Sequence, residues 1–265
     1  MSNERADAES LFLCVEAVSK TYSARDGRPV RAIEDLSLSV RRGEFASILG
    51  PSGCGKSTLL LIIAGLLAPT TGTVMFGKRQ AKNGATDFGI VFQDPVLFPW
   101  RDIQSNVELP GEIARMTRAE RAERAGQLIA LVGLQGFERK YPYELSGGMQ
   151  QRVAIARALM LSPSLLLMDE PFGALDALTR EQMNLELQNI SMATGATVVF
   201  VTHSISEAVF LSDRVMVMTG RPATLKEVVR IDIPRPRSID MIASGHFGEH
   251  VARLRRLLNA RTDPA

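Results

Sequence analysis

The sequence predicts an α/β fold: a core of mainly parallel sheet, an antiparallel β subdomain and an inserted helical subdomain. Three observations carry that expectation. Short continuous apolar runs at 45–49, 88–92, 165–168, 198–201 and 215–218 read as strands buried on both faces. Helical segments lie between several of them. Residues 11–40 alternate instead, as in Leu36-Ser37-Leu38-Ser39-Val40, the pattern of strands with one wet face.

Bulk properties exclude several classes. Of 265 residues, 45% are hydrophobic and 23% charged, which rules out global disorder. Lys and Arg total 31 against 29 Asp and Glu, a net charge of +2, which makes the chain a poor candidate for binding nucleic acid by bulk charge. Two cysteines, Cys14 and Cys54, exclude a disulfide framework and point to a reducing compartment. The longest apolar run, 59–68, falls short of the roughly 20 residues a spanning helix needs. The polar start MSNERADAES is unlike a signal peptide. Work at a membrane therefore calls for a partner that holds the chain there.

Along the chain, residues 1–10 read as a frayed tail, and Asp26-Gly27 and Arg41-Arg42-Gly43 as turns. The strand at 45–49 runs into Gly50-Pro51-Ser52-Gly53-Cys54-Gly55-Lys56-Ser57-Thr58, and a helix is expected over 58–67. This is G-x-x-x-x-G-K-[ST] in its proper strand–loop–helix context. Glycines let backbone N–H groups turn inward around phosphates, and the helix start adds partial positive charge. Lys56 is expected to reach the β- and γ-phosphates of a nucleotide, and the Ser57 hydroxyl to bind Mg²⁺. The core is therefore expected to be that of a P-loop NTPase. Cys54 reads as a small side chain that the loop tolerates, with redox sensing as the sharper alternative.

No buried strand is evident between residues 98 and 144. Thr117-Arg118-Ala119-Glu120 is a capping box, followed by Ala122, Ala125, Leu128, Ile129 and Val132 at helical spacing. Ser146-Gly147-Gly148 opens a helix over 149–161 that Ser162-Pro163 stops, a second anion-binding helix start. Residues 98–160 are thus expected to form the helical subdomain, with 11–97 and 161–265 as the core, in one domain overall. The apolar strand at 165–168 ends in Asp169 and Glu170, beyond the carboxyl end where α/β sheets bind ligands. Asp169 suits a Mg²⁺ ligand, and Glu170 a residue that positions and activates the attacking water.

The ordered motifs make the chain resemble an ATP-binding-cassette (ABC) ATPase subunit over nearly its whole length. Leu145-Ser146-Gly147-Gly148-Met149-Gln150-Gln151-Arg152 resembles the signature motif of that family, with Met149 where Gln is usual. The resemblance makes Gln93 the Q-loop glutamine, which contacts Mg²⁺ and water and links to the membrane partner. It makes Ala174-Leu175-Asp176 the D-loop, His203 the switch histidine at the γ-phosphate, and Tyr22 the aromatic stacked on adenine. It implies ATP and Mg²⁺ as cofactors. It also implies a head-to-tail dimer in which the two anion-binding helix starts of different chains face one ATP.

A separate importer subunit is the best reading within that family. Residues 59–144 hold no sustained heptads, and no membrane helices are fused to the cassette. The run Phe98-Pro99-Trp100-Arg101, with the only tryptophan, and the stretch from Phe172 to Arg180 resemble the nitrate/sulfonate/taurine branch. The expected partners are a second ATPase subunit, transmembrane permease subunits and, indirectly, an extracytoplasmic solute-binding protein. The expected location is the cytoplasmic face of the membrane. The alternative is a non-transport ATPase that regulates protein or nucleic-acid partners, against which the compact insert and the 98–100 patch argue. In the Pro- and Arg-rich segment 221–265, Val251, Leu254 and Leu258 suggest a helix packed on the core, with a membrane-surface role as the alternative. His246 and His250 lie four apart but lack a third metal ligand in the sequence.

Overall fold

The structure, a computed structural model, describes residues 11–23, 28–77, 79–80 and 88–259. The expected tail at 1–10 and the Asp26-Gly27 turn lie outside the described residues. The chain divides into two compact units, residues 1–85 with 197–265, and residues 86–196. The first stretch supplies β1 (Leu11–Ser23), β2 (Pro29–Arg41), β3 (Phe45–Leu49), α1 (Lys56–Ile63), β4 (Thr71–Phe76) and β5 (Arg79–Gln80). The second unit contributes β6 (Phe88–Val91), α2 (Ile103–Ile113), α3 (Arg118–Leu131), α4 (Gly147–Ala158), β7 (Leu165–Asp169) and α5 (Ala177–Thr194). The chain then returns to the first unit with β8 (Thr197–Thr202), α6 (Ile205–Leu211), β9 (Arg214–Met218), β10 (Leu225–Arg230) and α7 (Gly245–Asn259).

Two sheets build the first unit. The antiparallel one has the order β2-β1-β4-β5. Its alternating strands turn Leu13, Val15, Val18, Ile33, Leu36 and Val40 inward, while the intervening polar residues face water. In the other sheet, β3 runs parallel to both β8 and β9, and β10 closes it antiparallel to β9. Every residue of β3 and β8 is buried, which is why these segments are largely apolar rather than alternating. Strand β10 was not among the expected elements. Its sequence, Leu225-Lys226-Glu227-Val228-Val229-Arg230, is too polar to read as a core strand, and pairing with β9 decides its conformation.

Helix α1 differs from the expected 58–67 at both ends. It starts at Lys56, and Gly65 (φ +67°) turns the chain into the left-handed region just past its end. The apolar run continues, but the helix does not.

The C-terminal segment is cemented to the first unit. One Arg235 guanidinium nitrogen, Nη2, donates to both Asp213 carboxylate oxygens, at 2.7 and 2.6 Å. Arg237 is buried and donates to the carbonyls of Val209, Phe210, Ser212 and Ile233 at 2.7–3.0 Å. Three of those carbonyls lie at the end of α6, so a cation neutralises a helix C-terminus. Burial pulls the Arg237 pKa down to about 10, still far above neutrality. The Pro234-Arg235-Pro236-Arg237 run is therefore internal cement, and the membrane-surface alternative fails for these arginines. Helix α7 buries Phe247 and Leu254 and leaves Val251 and Leu258 half-buried.

In the second unit, β6 and β7 pair in parallel. No strand occurs among residues 98–160, and α2, α3 and α4 occupy that stretch. The capping box opens α3 one residue after Thr117: the Thr117 amide donates to Glu120 (2.8 Å) and the Glu120 amide to Thr117 Oγ1 (3.3 Å). Helix α4 begins at Gly147, earlier than the expected 149, because Ser146 caps it. Among the described residues, no helix is long and apolar enough to cross a membrane.

Candidate nucleotide site

The site residues are divided between the two units. Tyr22, the loop 50–58 and His203 belong to the first; Gln93, Ser146, Gly147, Gly148, Asp169, Glu170 and Asp176 belong to the second.

In the first unit, the parallel register pairs Leu49 of β3 with Thr202 of β8. Gly50 and His203 therefore leave the sheet at the same, carboxyl edge, where α/β sheets open toward ligands. Gly53 and Gly55 take φ of +72° and +126°, a region that a side chain resists. A Cβ on Gly50 would lie 3.0 Å from Cys54 Sγ and 3.2 Å from Met218 Cβ, so the loop's first residue has no room for one. Cys54 is buried under the loop and acts as a small packing side chain there. Pro51, Ser52, Gly53 and Ser57 face solvent.

Lys56 is buried, and its ammonium donates to the carbonyls of Gly50 (3.0 Å) and Pro51 (3.1 Å). The cation is thus folded back into the loop that a phosphate would enter. No side chain caps α1, and a helix start carries the partial positive charge that suits an anion. Tyr22 is partly exposed, and its hydroxyl lies 3.3 Å from Thr58 Oγ1. The turn carrying His203 is braced by Thr202, whose hydroxyl donates to Glu207 (2.6 Å) and accepts from the Ser204 amide (2.9 Å). His203 itself is exposed. Sequence reasoning missed Arg221, whose Nε donates to the Gly53 carbonyl at 2.6 Å. It adds positive charge beside the loop across a separation of 168 residues, which no local signal marks.

In the second unit, the register pairs Val91 with Met168, so Gln93 and the Asp169-Glu170 pair leave their strands at one edge. Glu170 adopts φ +44°, uncommon for a residue with a side chain. The turn is closed by the Gly173 amide, which donates to the Glu170 carbonyl at 3.0 Å. A Cβ on Gly173 would sit 3.3 Å from Gln93 Nε2 and 3.4 Å from the Glu170 carbonyl oxygen. Gln93, Glu170 and Gly173 are therefore packed together, and Phe172 in the same turn is fully buried.

Gly147 and Gly148 lie against Leu175 and Thr179, which flank Asp176. A Cβ on Gly148 would approach Thr179 Cγ2 at 2.9 Å, so the start of α4 lies closely against α5. Asp176 caps α5 by accepting from the Thr179 amide at 3.1 Å. The Thr179 side chain and amide together hold its carboxyl below the usual carboxylate range.

A third cluster supports the segment after Gln93. Gln151 Nε2 donates to the Phe92 carbonyl (2.9 Å), and Arg157 to those of Pro95 (2.7 Å) and Val96 (2.8 Å). Trp100 is 71% exposed and meets Phe98 edge-on, with ring centroids 5.2 Å apart. A tryptophan this exposed contributes little to the core.

Comparison with known proteins gives one answer. Residues 33–173 match the family described as ABC transporter. An uncharacterised ABC transporter ATP-binding protein of Methanocaldococcus jannaschii is 49% identical over 88% of this chain and 87% of its own length. The nitrate import ATP-binding protein NrtD of Synechococcus elongatus is 44% identical over 87% of this chain and 85% of its own length. A solved dimeric ATP-binding cassette, in a post-hydrolysis state bound to ADP and Pi, aligns with a TM-score of 0.72 at 34% identity, covering 84% of this chain and 100% of that one. With the phosphate loop, its strand and its helix in place, the chain belongs to the ABC transporter family, as an ATP-binding and ATP-hydrolysing domain.

Proposed function

We propose that the chain is the ATPase subunit of an importer, driving uptake of a small solute of the nitrate, sulfonate or taurine kind through a separate permease. The observation that carries the reading is the glycine loop at the uncapped start of α1, with Lys56 drawn into it. The loop amides and Lys56 bind the phosphates, and Tyr22 lies against the adenine. Ser57, Gln93 and Asp169 offer only oxygen donors, the chemistry Mg²⁺ requires, and would hold that ion. When bound, it neutralises charge on the phosphate oxygens. Glu170 orients the attacking water and accepts its proton, while His203 donates to the γ-phosphate. Catalysis is thus mostly positioning and charge neutralisation.

In a head-to-tail dimer, the Ser146-Gly147-Gly148 helix start and Asp176 of one copy face the ATP held by the loop of the other. ATP binding closes the dimer, and hydrolysis reopens it. The exposed Trp100 and its neighbours receive a short helix of the permease, at the cytoplasmic face of the membrane. A solute-binding protein outside the membrane delivers the cargo to that permease. The experiment is copurification in detergent. Recovery of a polytopic membrane protein supports the reading; recovery of soluble partners or nucleic acid alone overturns it in favour of a regulator.

A further inference from the structure

We propose that Asp232, His246 and His250 form a binding site for a divalent transition-metal ion of the Zn²⁺ class, separate from the nucleotide site. His246 and His250 stand four residues apart on α7, so both imidazoles lie on one face of the helix. Asp232 follows the end of β10 and brings a carboxylate to that face. Its Oδ1 lies 3.0 Å from His246 Nε2 and 2.7 Å from His250 Nε2. One ligand atom from each of the three residues falls within 4.8 Å of the others.

Ligands about 2.0–2.1 Å from Zn²⁺ stand ~2.9–3.4 Å apart in octahedral or tetrahedral geometry. Both carboxylate–imidazole distances are within a few tenths of an ångström of that spacing. The donor type selects the ion: two imidazole nitrogens and one carboxylate suit Zn²⁺, Co²⁺ or Ni²⁺, whereas Mg²⁺ and Ca²⁺ take oxygen sets. Three protein ligands leave a position for water.

The ligands ride on elements fixed by other contacts. Phe247 and Leu254 anchor α7 in the core, Arg253 pairs with Glu227 of β10 (2.6 Å), and Lys226 donates to the Leu257 carbonyl (2.9 Å). Helix and strand therefore hold the histidines opposite the carboxylate before any ion arrives. A bound ion would pin α7 to the end of β10.

The test is titration of the chelated, nucleotide-free full chain with Co²⁺ and with Zn²⁺, alongside Asp232→Asn, His246→Ala and His250→Ala. One equivalent of Co²⁺ should give visible d–d absorption that Zn²⁺ removes and a large excess of Mg²⁺ does not. Each substitution should weaken binding by at least about tenfold, with Mg²⁺-dependent ATP hydrolysis unchanged. Zn²⁺ should also shield two of the three histidines of the wild-type chain from diethylpyrocarbonate. Binding that survives in all three variants, displacement by Mg²⁺, or equal modification of all three histidines with and without Zn²⁺ would overturn the proposal.

Discussion

Asn106→Ala should destabilise the segment that presents Trp100. Asn106 is fully buried; its Oδ1 accepts from the Phe98 amide (2.8 Å), and its Nδ2 reaches the carbonyls of Phe98 (3.1 Å), Arg101 (3.0 Å) and Asp102 (3.1 Å). Truncation does not orphan all four groups equally. The Phe98 carbonyl still accepts from the Arg101 amide, and the Asp102 carbonyl from the Asn106 amide. The Phe98 amide and the Arg101 carbonyl lose the bonds Asn106 made to them. A buried polar group left unsatisfied costs about 1–3 kcal/mol, so the two together cost about 2–6 kcal/mol. With a urea slope of about 3 kcal/mol/M, the unfolding midpoint should fall by about 0.7–2 M at unchanged slope. Trp100 is the chain's only tryptophan, so its fluorescence reports the loop directly. A midpoint within about 0.2 M of wild type, with an unaltered emission spectrum, would show that packing and not Asn106 sets the loop.

Three further outcomes are expected. Glu170→Gln should keep ATP binding, lower hydrolysis by about 10²–10⁴-fold and accumulate closed dimer, which ATPase rates and gel filtration measure; near-normal turnover would contradict the role given to Glu170. Arg237→Lys replaces a five-donor fork with three donors at the end of α6 and should cost about 2 kcal/mol. That lowers Tm by roughly 4–8 °C for a chain of this size, and an unchanged calorimetric Tm would refute the capping role. The Arg101 hydrogen bond holds the Glu112 carboxyl below its usual pKa, so the pair stabilises the fold above about pH 4.3 and stops doing so as pH falls through the lower folded value. Glu112→Gln should therefore be less stable than wild type near neutrality, with the gap closing in acid; a gap constant with pH would rule the pair out as its cause.

Much of the local architecture was legible in the chain. The runs at 45–49, 165–168 and 198–201 announce strands because a strand covered on both faces has few places for a polar side chain. The loop at 50–58 and the caps at Thr117 and Ser146 are legible for another reason. Their hydrogen bonds and left-handed φ values arise within a few residues, so residue type and spacing encode them directly. Where the code is local but weak, apolar residues overstate a helix: α1 ends at Ile63 because Gly65 turns the chain, although apolar residues continue.

Other features carry no local mark. Arg221 on the Gly53 carbonyl, Arg237 on the end of α6, Asp232 between two histidines and β10 on β9 each join residues far apart in sequence or depend on a partner strand. An arginine in a Pro-Arg run is chemically the same whether it meets water or a helix's last carbonyls. Only the path of the chain brings the carbonyls to it, and burial then turns that proximity into a structural role, because a charge removed from water must find its partners within the fold.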